Sequence, residues 1–245
     1  MIALLSDIHS NLQALEACLD DAANEGATRY VFLGDFVGYG ADPDAVLTIV
    51  QNLCAQGAKA VKGNHDDMYS DFDHIMTANA ARAANWTRDQ LSSDQRAFLD
   101  NLPMTLTEHD RLYVHADASA PEKWRYVSDS SCAQYSLDAC PARIIICGHV
   151  HQPALYSVNP DQKVMRFVPE TDCTIPLMKS RRWHVVLPSV GQPRDENPLS
   201  GYALFNEETD EITFRRVSYD IDAAAARIRS AGLPDRLADR LYCGR

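Results

Sequence analysis

Positive charge is scarce in this chain. Of its 245 residues, 23 are Lys or Arg against 34 Asp or Glu, a formal net charge of −11. Nucleic-acid backbones are bound largely through Lys and Arg, so the balance argues against bulk nucleic acid as a partner and against a basic membrane-surface face. It leaves room for a small anionic substrate, because bound metal ions can dominate local charge. Long apolar runs are missing as well: none approaches the roughly 18 residues of a membrane span, so no membrane partner is expected. There is no Ser/Gly-rich linker, low-complexity tract or internal repeat, and one domain over residues 1–245 is expected. Cysteine is present but unpatterned. Seven residues make an odd count without a close Cys-x-x-Cys pair, which argues against a disulfide framework. The N-terminal run Met1–Asp7 lacks the positive region of a signal peptide, and the cytoplasm is the expected compartment.

What is present alternates between short apolar runs and helical patterns. Ile2–Ser6 reads as a buried strand. Asn11 can cap a helix carrying Leu12, Leu15, Leu19 and Ala22, and Gly26 ends it. Tyr30–Leu33 reads as a second strand. Asp42 and Pro43 open a second helix as N-cap and first helical residue, and Ala58–Val61 reads as a third strand. This β-α-β-α-β order implies a mainly parallel sheet covered by helices. The stretch from Asp66 to about Leu102 reads as mostly helical, followed by strands at Leu112–Val114 and Ile144–Ile146 with a helix between them. Beyond His151 the runs Leu155–Val158, Val164–Val168, Trp183–Leu187, Tyr202–Phe205 and Ile212–Val217 resemble an antiparallel meander. Residues from Asp220 to Leu241 read as helical, interrupted at Gly232-Leu233-Pro234.

Against this background stand five short blocks of metal-binding residue types: Asp7-Ile8-His9, Gly34-Asp35, Gly63-Asn64-His65-Asp66, His115, and Gly148-His149-Val150-His151. Asp7, Asp35, Asn64, His115 and His149 each come just after an apolar strand. Sites in open α/β sheets form outside the carboxyl ends of strands. Oxygen and imidazole donors in this ratio suit two borderline divalent ions, and ions about 3.5–4 Å apart are a device for in-line displacement at phosphorus. Asp7 and His9, two apart, would project to one side if the strand continued. Asp35 could bridge two ions. His65 could supply a proton, with Asp66 fixing its tautomer. Each block alone is also an ordinary turn; the ordered set is what carries the inference. His74, His109 and His184 have no evident partners, and Lys179, Arg181 and Arg182 read as a solvated edge. Tyr39 and Trp124 could stack on a ring, though core packing is the commoner use.

The ordered set resembles the calcineurin-like metallophosphoesterase superfamily, whose blocks run Asp-x-His, Gly-Asp, Gly-Asn-His-Asp/Glu, His, Gly-His-x-His. The stretches 34–40 (Gly-Asp-Phe-Val-Gly-Tyr-Gly) and 188–194 (Pro-Ser-Val-Gly-Gln-Pro-Arg) look like its small bacterial phosphodiesterase/phosphatase branch. The resemblance covers about residues 1–217, leaving a C-terminal helical extension over about 220–245. It implies an α/β fold of two packed mixed β-sheets flanked by helices, a four-layer sandwich. It also implies two divalent transition-metal ions (Mn, Fe, Zn, Ni or Co): Asp7, His9 and His151 would hold one, Asn64, His115 and His149 the other, with Asp35 between. His65 would face the substrate with Asp66 behind it, and Arg194 would contact it. The arginine that follows the second block in protein Ser/Thr phosphatases is absent here, where Gly38-Tyr39-Gly40 stands instead. The expected activity is hydrolysis of a small phosphodiester or phosphomonoester by a metal-bridging hydroxide. The rivals are a dinucleoside polyphosphate hydrolase, a phosphoprotein phosphatase, and a non-catalytic scaffold on the same fold.

Overall fold

A computed structural model describes residues 1–67, 78–161 and 163–245. His74 and the start of the expected helix at Thr77 lie outside the described residues. The chain begins with β1 (Ile2–Leu5), α1 (Leu12–Asn24), β2 (Arg29–Phe32), α2 (Pro43–Ala55) and β3 (Lys59–Ala60). β1 pairs parallel with β2, and β2 with β3, as the β-α-β-α-β pattern requires. Asn11 caps α1 through its side-chain oxygen, which accepts from the Ala14 N–H at 3.2 Å. Asp42 sits at the N-cap of α2 but makes no capping bond. Its carboxylate instead accepts from Arg227 Nε at 2.9 Å and Nη2 at 2.6 Å.

Two further helices, α3 (Ala78–Gln90) and α4 (Ser93–Asp100), lead to the hairpin β4 (Thr105–Glu108) and β5 (Arg111–Val114). Then come α5 (Ser130–Asp138), β6 (Ile144–Cys147), β7 (Ala154–Val158), β8 (Val164–Phe167), β9 (Thr174–Pro176), β10 (Arg182–Val186), β11 (Ser200–Asn206) and β12 (Glu211–Val217). Two helices close the chain, α6 (Ile221–Ser230) and α7 (Asp235–Cys243).

The strands form two mixed six-stranded sheets, β3-β2-β1-β11-β12-β9 and β4-β5-β6-β10-β7-β8. The single C-terminal meander is therefore corrected: β7, β8 and β10 join one sheet while β9, β11 and β12 join the other, and β10 runs parallel to β6. Between the sheets lie Leu4, Val31, Tyr113, Ile146, Val185 and Phe205. The opposite face of the first sheet packs Leu5 and Phe32 against Leu15, Val46 and Val50 of α1 and α2. The second sheet turns Ile145, Cys147 and Tyr156 to Ala133 and Leu137 of α5. This is the expected order of layers, helices, sheet, sheet, helix, and alternation along each strand is what lets both faces bury. A fourth cluster joins α6 and α7 through Ile228, Leu237 and Leu241, and takes in Ala83 of α3 and Tyr39. No helix among the described residues is long and apolar enough to cross a membrane.

Candidate metal centre and its cleft

Both sheets bring strand ends to one rim. The first sheet delivers Asp7 after β1, Asp35 after β2 and Asn64 after β3; the second delivers His115 after β5, with His149 and His151 after β6. Backbone hydrogen bonds stitch the rim. Asp7 N donates to the Gly34 carbonyl at 3.0 Å and His9 N to the Asp35 carbonyl at 2.9 Å. Across the sheets, the His149 N–H reaches the Asp7 carboxylate at 2.9 Å, and Val190 and Gly191 N–H reach the carbonyls of Ser6 and Asp7, both at 2.9 Å.

The strand does not continue through Asp7 and His9, so the reason first given for their pairing is corrected. Both are left-handed, with φ of 57° and 50°. Among the described non-glycine residues, twelve have such a φ, and eight of them belong to this rim: Asp7, His9, Ser10, Asp35, Tyr39, Trp124, His149 and His151. Each left-handed residue costs of order 1–3 kcal/mol, and such strain clusters at functional sites. The glycines beside the ligand candidates serve close approach. A Cβ on Gly148 would stand 1.8 Å from Ser6 Oγ and 2.5 Å from Asp7 Oδ2.

Four imidazoles are oriented by backbone carbonyls. His9 Nδ1 faces the Val37 carbonyl at 3.1 Å, His115 Nδ1 the Leu33 carbonyl at 2.6 Å, His151 Nδ1 the Gln192 carbonyl at 2.6 Å, and His149 Nε2 the Trp124 carbonyl at 2.9 Å. A carbonyl only accepts, so each of these nitrogens carries the proton. In the neutral ring the other nitrogen is then a bare lone pair, and those lone pairs converge. His9 Nε2 and His151 Nε2 are 3.2 Å apart, with Asp7 Oδ1 3.1 Å from His151 Nε2 and Asp35 Oδ2 3.6 Å from His9 Nε2. His115 Nε2 lies 3.2 Å from His149 Nδ1, 3.1 Å from Asn64 Oδ1 and 3.3 Å from Asp35 Oδ2. These are two nests of acceptors, and Asp35 Oδ2 belongs to both. Its other oxygen accepts the His65 N–H at 2.8 Å. Lone pairs facing lone pairs repel unless a cation lies among them, and the N/O donors suit divalent transition metals. The residues present fit two ions.

At every candidate ligand with a resolved shift except His115, the charge state agrees with that fit. Burial holds the pKa of His9 well below normal and that of His149 down at about 3; burial also lowers His151. Neutral rings are what metals bind. Burial acts to raise Asp7 and Asp35, but His151 beside the first and His115 beside the second outweigh it, keeping both carboxyls below the usual range. His115 goes the other way: burial acts to lower it, and the Asp35 carboxylate outweighs burial and holds it up at about 9.

Asp66 does not sit behind the His65 ring, which corrects its expected role. Its Oδ2 accepts from Asp35 N at 2.8 Å and Gly63 N at 2.9 Å, and its Oδ1 from Phe36 N at 2.8 Å and Val37 N at 3.4 Å. Burial and the nearby Asp35 push its pKa up to about 7. Asp66 ties the loop after β2 to the loop after β3. The partner of the His65 ring is Tyr39, whose hydroxyl is 3.1 Å from His65 Nε2. Arg194 lies over the Tyr39 ring, 5.7 Å from its centroid. Tyr39, Asn64, His65, His149 and Arg194 all line a cleft of about 630 Å³.

The carbonyls of Val37, Leu33, Gln192 and Trp124 were invisible in the sequence, because any residue type can supply one. Tyr126, stacked on His149 at 4.1 Å, gave no signal either. Trp124 is buried with its ring edge-on to His115. His184, Arg181 and Arg182 lie away from this rim: His184 Nε2 bonds Ser136 Oγ at 2.9 Å, Arg181 bonds Ser157, and Arg182 bonds the carbonyls of Leu137, Cys140 and Ala142.

Residues 1–210 match the model of the calcineurin-like phosphoesterase superfamily domain. An uncharacterized protein of Methanocaldococcus jannaschii is 33% identical over 252 residues, spanning 100% of this chain and 98% of its own length. A solved structure of a metallophosphoesterase from Sphaerobacter thermophilus is 32% identical with a TM-score of 0.86, covering 100% of this chain and 98% of that one. A hypothetical protein from Pyrococcus horikoshii OT3 shares the fold at 21% identity, with a TM-score of 0.78 over 100% of this chain and 99% of that one.

Proposed function

The chain belongs to the calcineurin-like phosphoesterase superfamily, and on that premise we propose that it is a cytoplasmic, dinuclear-metal-dependent hydrolase of a small phosphodiester or phosphomonoester. The observation that carries this reading is the pair of buried acceptor nests sharing Asp35 Oδ2. Asp7, His9 and His151 would hold one ion, Asn64, His115 and His149 the other, and Asp35 would touch both. Mn, Fe, Zn, Ni and Co all suit the donors. Two ions bound there would supply Lewis acidity, neutralising phosphate oxygens and acidifying a water.

The chain's own groups would do the rest. Arg194 would hold non-bridging phosphate oxygens through its guanidinium. His65 would stabilise or protonate the departing oxygen, and Tyr39 would set its ring through the 3.1 Å contact. Asp66 would act as a positioning residue by fixing the turn that carries Asp35. The working unit would be the whole chain, residues 1–245, because α7 contributes Arg236 and Arg240 to the cleft.

Hydrolysis of bis-p-nitrophenyl phosphate and p-nitrophenyl phosphate by metal-stripped protein tests this reading, with Mn, Ni, Co, Zn and Mg added back singly. Metal-restored turnover is expected, falling by about a hundredfold or more in His65→Ala. Two bound ions without turnover on either ester would favour a scaffold instead.

A further inference from the structure

One wall of the cleft stands apart from the acceptor nests. Lys123, Arg194, Arg236, Arg240 and Arg245 line the cleft, and among the described residues no Asp or Glu does, in a chain whose net charge is −11. Among the described residues Arg245 of these five pairs with a carboxylate side chain, Glu196 at 2.9 Å, and Arg240 Nε donates to the main-chain oxygen of Arg245; Lys123, Arg194 and Arg236 have no ion pair with an Asp or Glu. Arg194 Nε is buried without a hydrogen-bond partner. Arg236 and Arg240 are spaced i, i+4 on α7, where like charges repel. Burial lowers the Arg240 pKa, and its neighbours Arg194 and Arg236 lower it further. The wall is also held in place. Leu237 and Leu241 anchor α7 in the fourth core cluster, and Glu196 N donates to the Gly244 carbonyl at 2.8 Å. Guanidinium groups that line one cleft, with more positive than negative side chains among its described lining, form a receptor for a multiply charged anion.

We propose that α7 provides a second anion subsite beside the metal centre, and that the preferred substrate is a phosphoester bearing a further phosphate or phosphate chain besides the scissile group. The substrate class rests on the phosphoesterase reading; the subsite does not. A single phosphate is already served by the metal nests, His65 and Arg194, whereas Arg236 and Arg240 extend the positive surface beyond them.

Calorimetric titration of the metal-stripped full chain with inorganic tripolyphosphate, and with orthophosphate, isolates the subsite. Wild type should bind tripolyphosphate about tenfold or more tighter than orthophosphate. The double variant Arg236→Gln/Arg240→Gln should lose about tenfold of the tripolyphosphate affinity, and Arg236→Lys/Arg240→Lys should recover most of it. The exposed Arg236→Gln alone should lose a measurable part, and it serves if the double variant does not fold. Equal tripolyphosphate affinity in wild type and the Gln variants, or no binding by wild type, would overturn the subsite. Bis-p-nitrophenyl phosphate turnover by metal-loaded wild type reports separately on the phosphoesterase reading. Its loss leaves the titration result standing as evidence for or against the subsite.

Discussion

Single side chains at this site are set by backbone, and the clearest case is the histidines. Each of His9, His115, His149 and His151 gives one ring proton to a main-chain carbonyl and turns its other nitrogen inward. Away from the cleft, His184 makes a complementary test of buried imidazole. Burial holds its pKa down at about 3, with Nε2 bonded to Ser136. A folded-state pKa depressed below the unfolded value near 6.5 means the unfolded chain binds the proton first. The stability that neutral His184 contributes is therefore whole above about pH 6.5 and is lost as pH falls towards 3, at up to ~1.4 kcal/mol per pH unit. Urea unfolding between pH 7 and pH 4.5 should show a shallower decline in His184→Gln than in wild type. Parallel declines would mean that the ring does not titrate on unfolding. At this scale the ligand types were legible in the sequence because their chemistry is local. The role of Asp66 was not, because adjacency to His65 in sequence suggested a ring partner, whereas four N–H groups from two loops claim its carboxylate.

Among the elements, the strands carrying ligand blocks were legible, since each is a short apolar run ending in a polar turn. The edge strands β4 and β9 were not. β4 is half-buried at most, and β9 is a three-residue edge strand ending in Pro176, where a proline is tolerated. Assignment of the late strands to sheets also escaped the sequence, since alternation reports which face is buried and not which neighbour a strand joins. α7 shows how an element peripheral to the sheets can shape the cleft. Its leucines bury against α6 and the Tyr39 loop, and this places its arginines. Leu241 is 3% exposed, so Leu241→Ala should lower unfolding free energy by about 2–5 kcal/mol, measured by urea denaturation. A loss below about 0.5 kcal/mol would show that α7 does not dock as described.

The whole molecule packs two sheets face to face and brings strand ends of both to one rim. Neither sheet alone completes either nest. Asp7 and His9 from the first meet His151 from the second, and Asn64 and Asp35 from the first meet His115 and His149 from the second. The net charge of −11 contrasts with this rim, where cations line the cleft wall and the neutral imidazoles of His9, His149 and His151 lie beside ionised carboxylates. The layered fold was expected from the resemblance and from the alternation of strands and helices. That the ligand blocks follow strand ends was legible in the sequence, whereas the division of those strands between two sheets became visible only in three dimensions. The most direct test of the central claim is anomalous diffraction from crystals of manganese-loaded protein. The expected result is two peaks per chain, one bounded by Asp7, His9 and His151, the other by Asn64, His115 and His149, with Asp35 reaching both. A single peak, or none among these residues, would contradict a shared dinuclear centre.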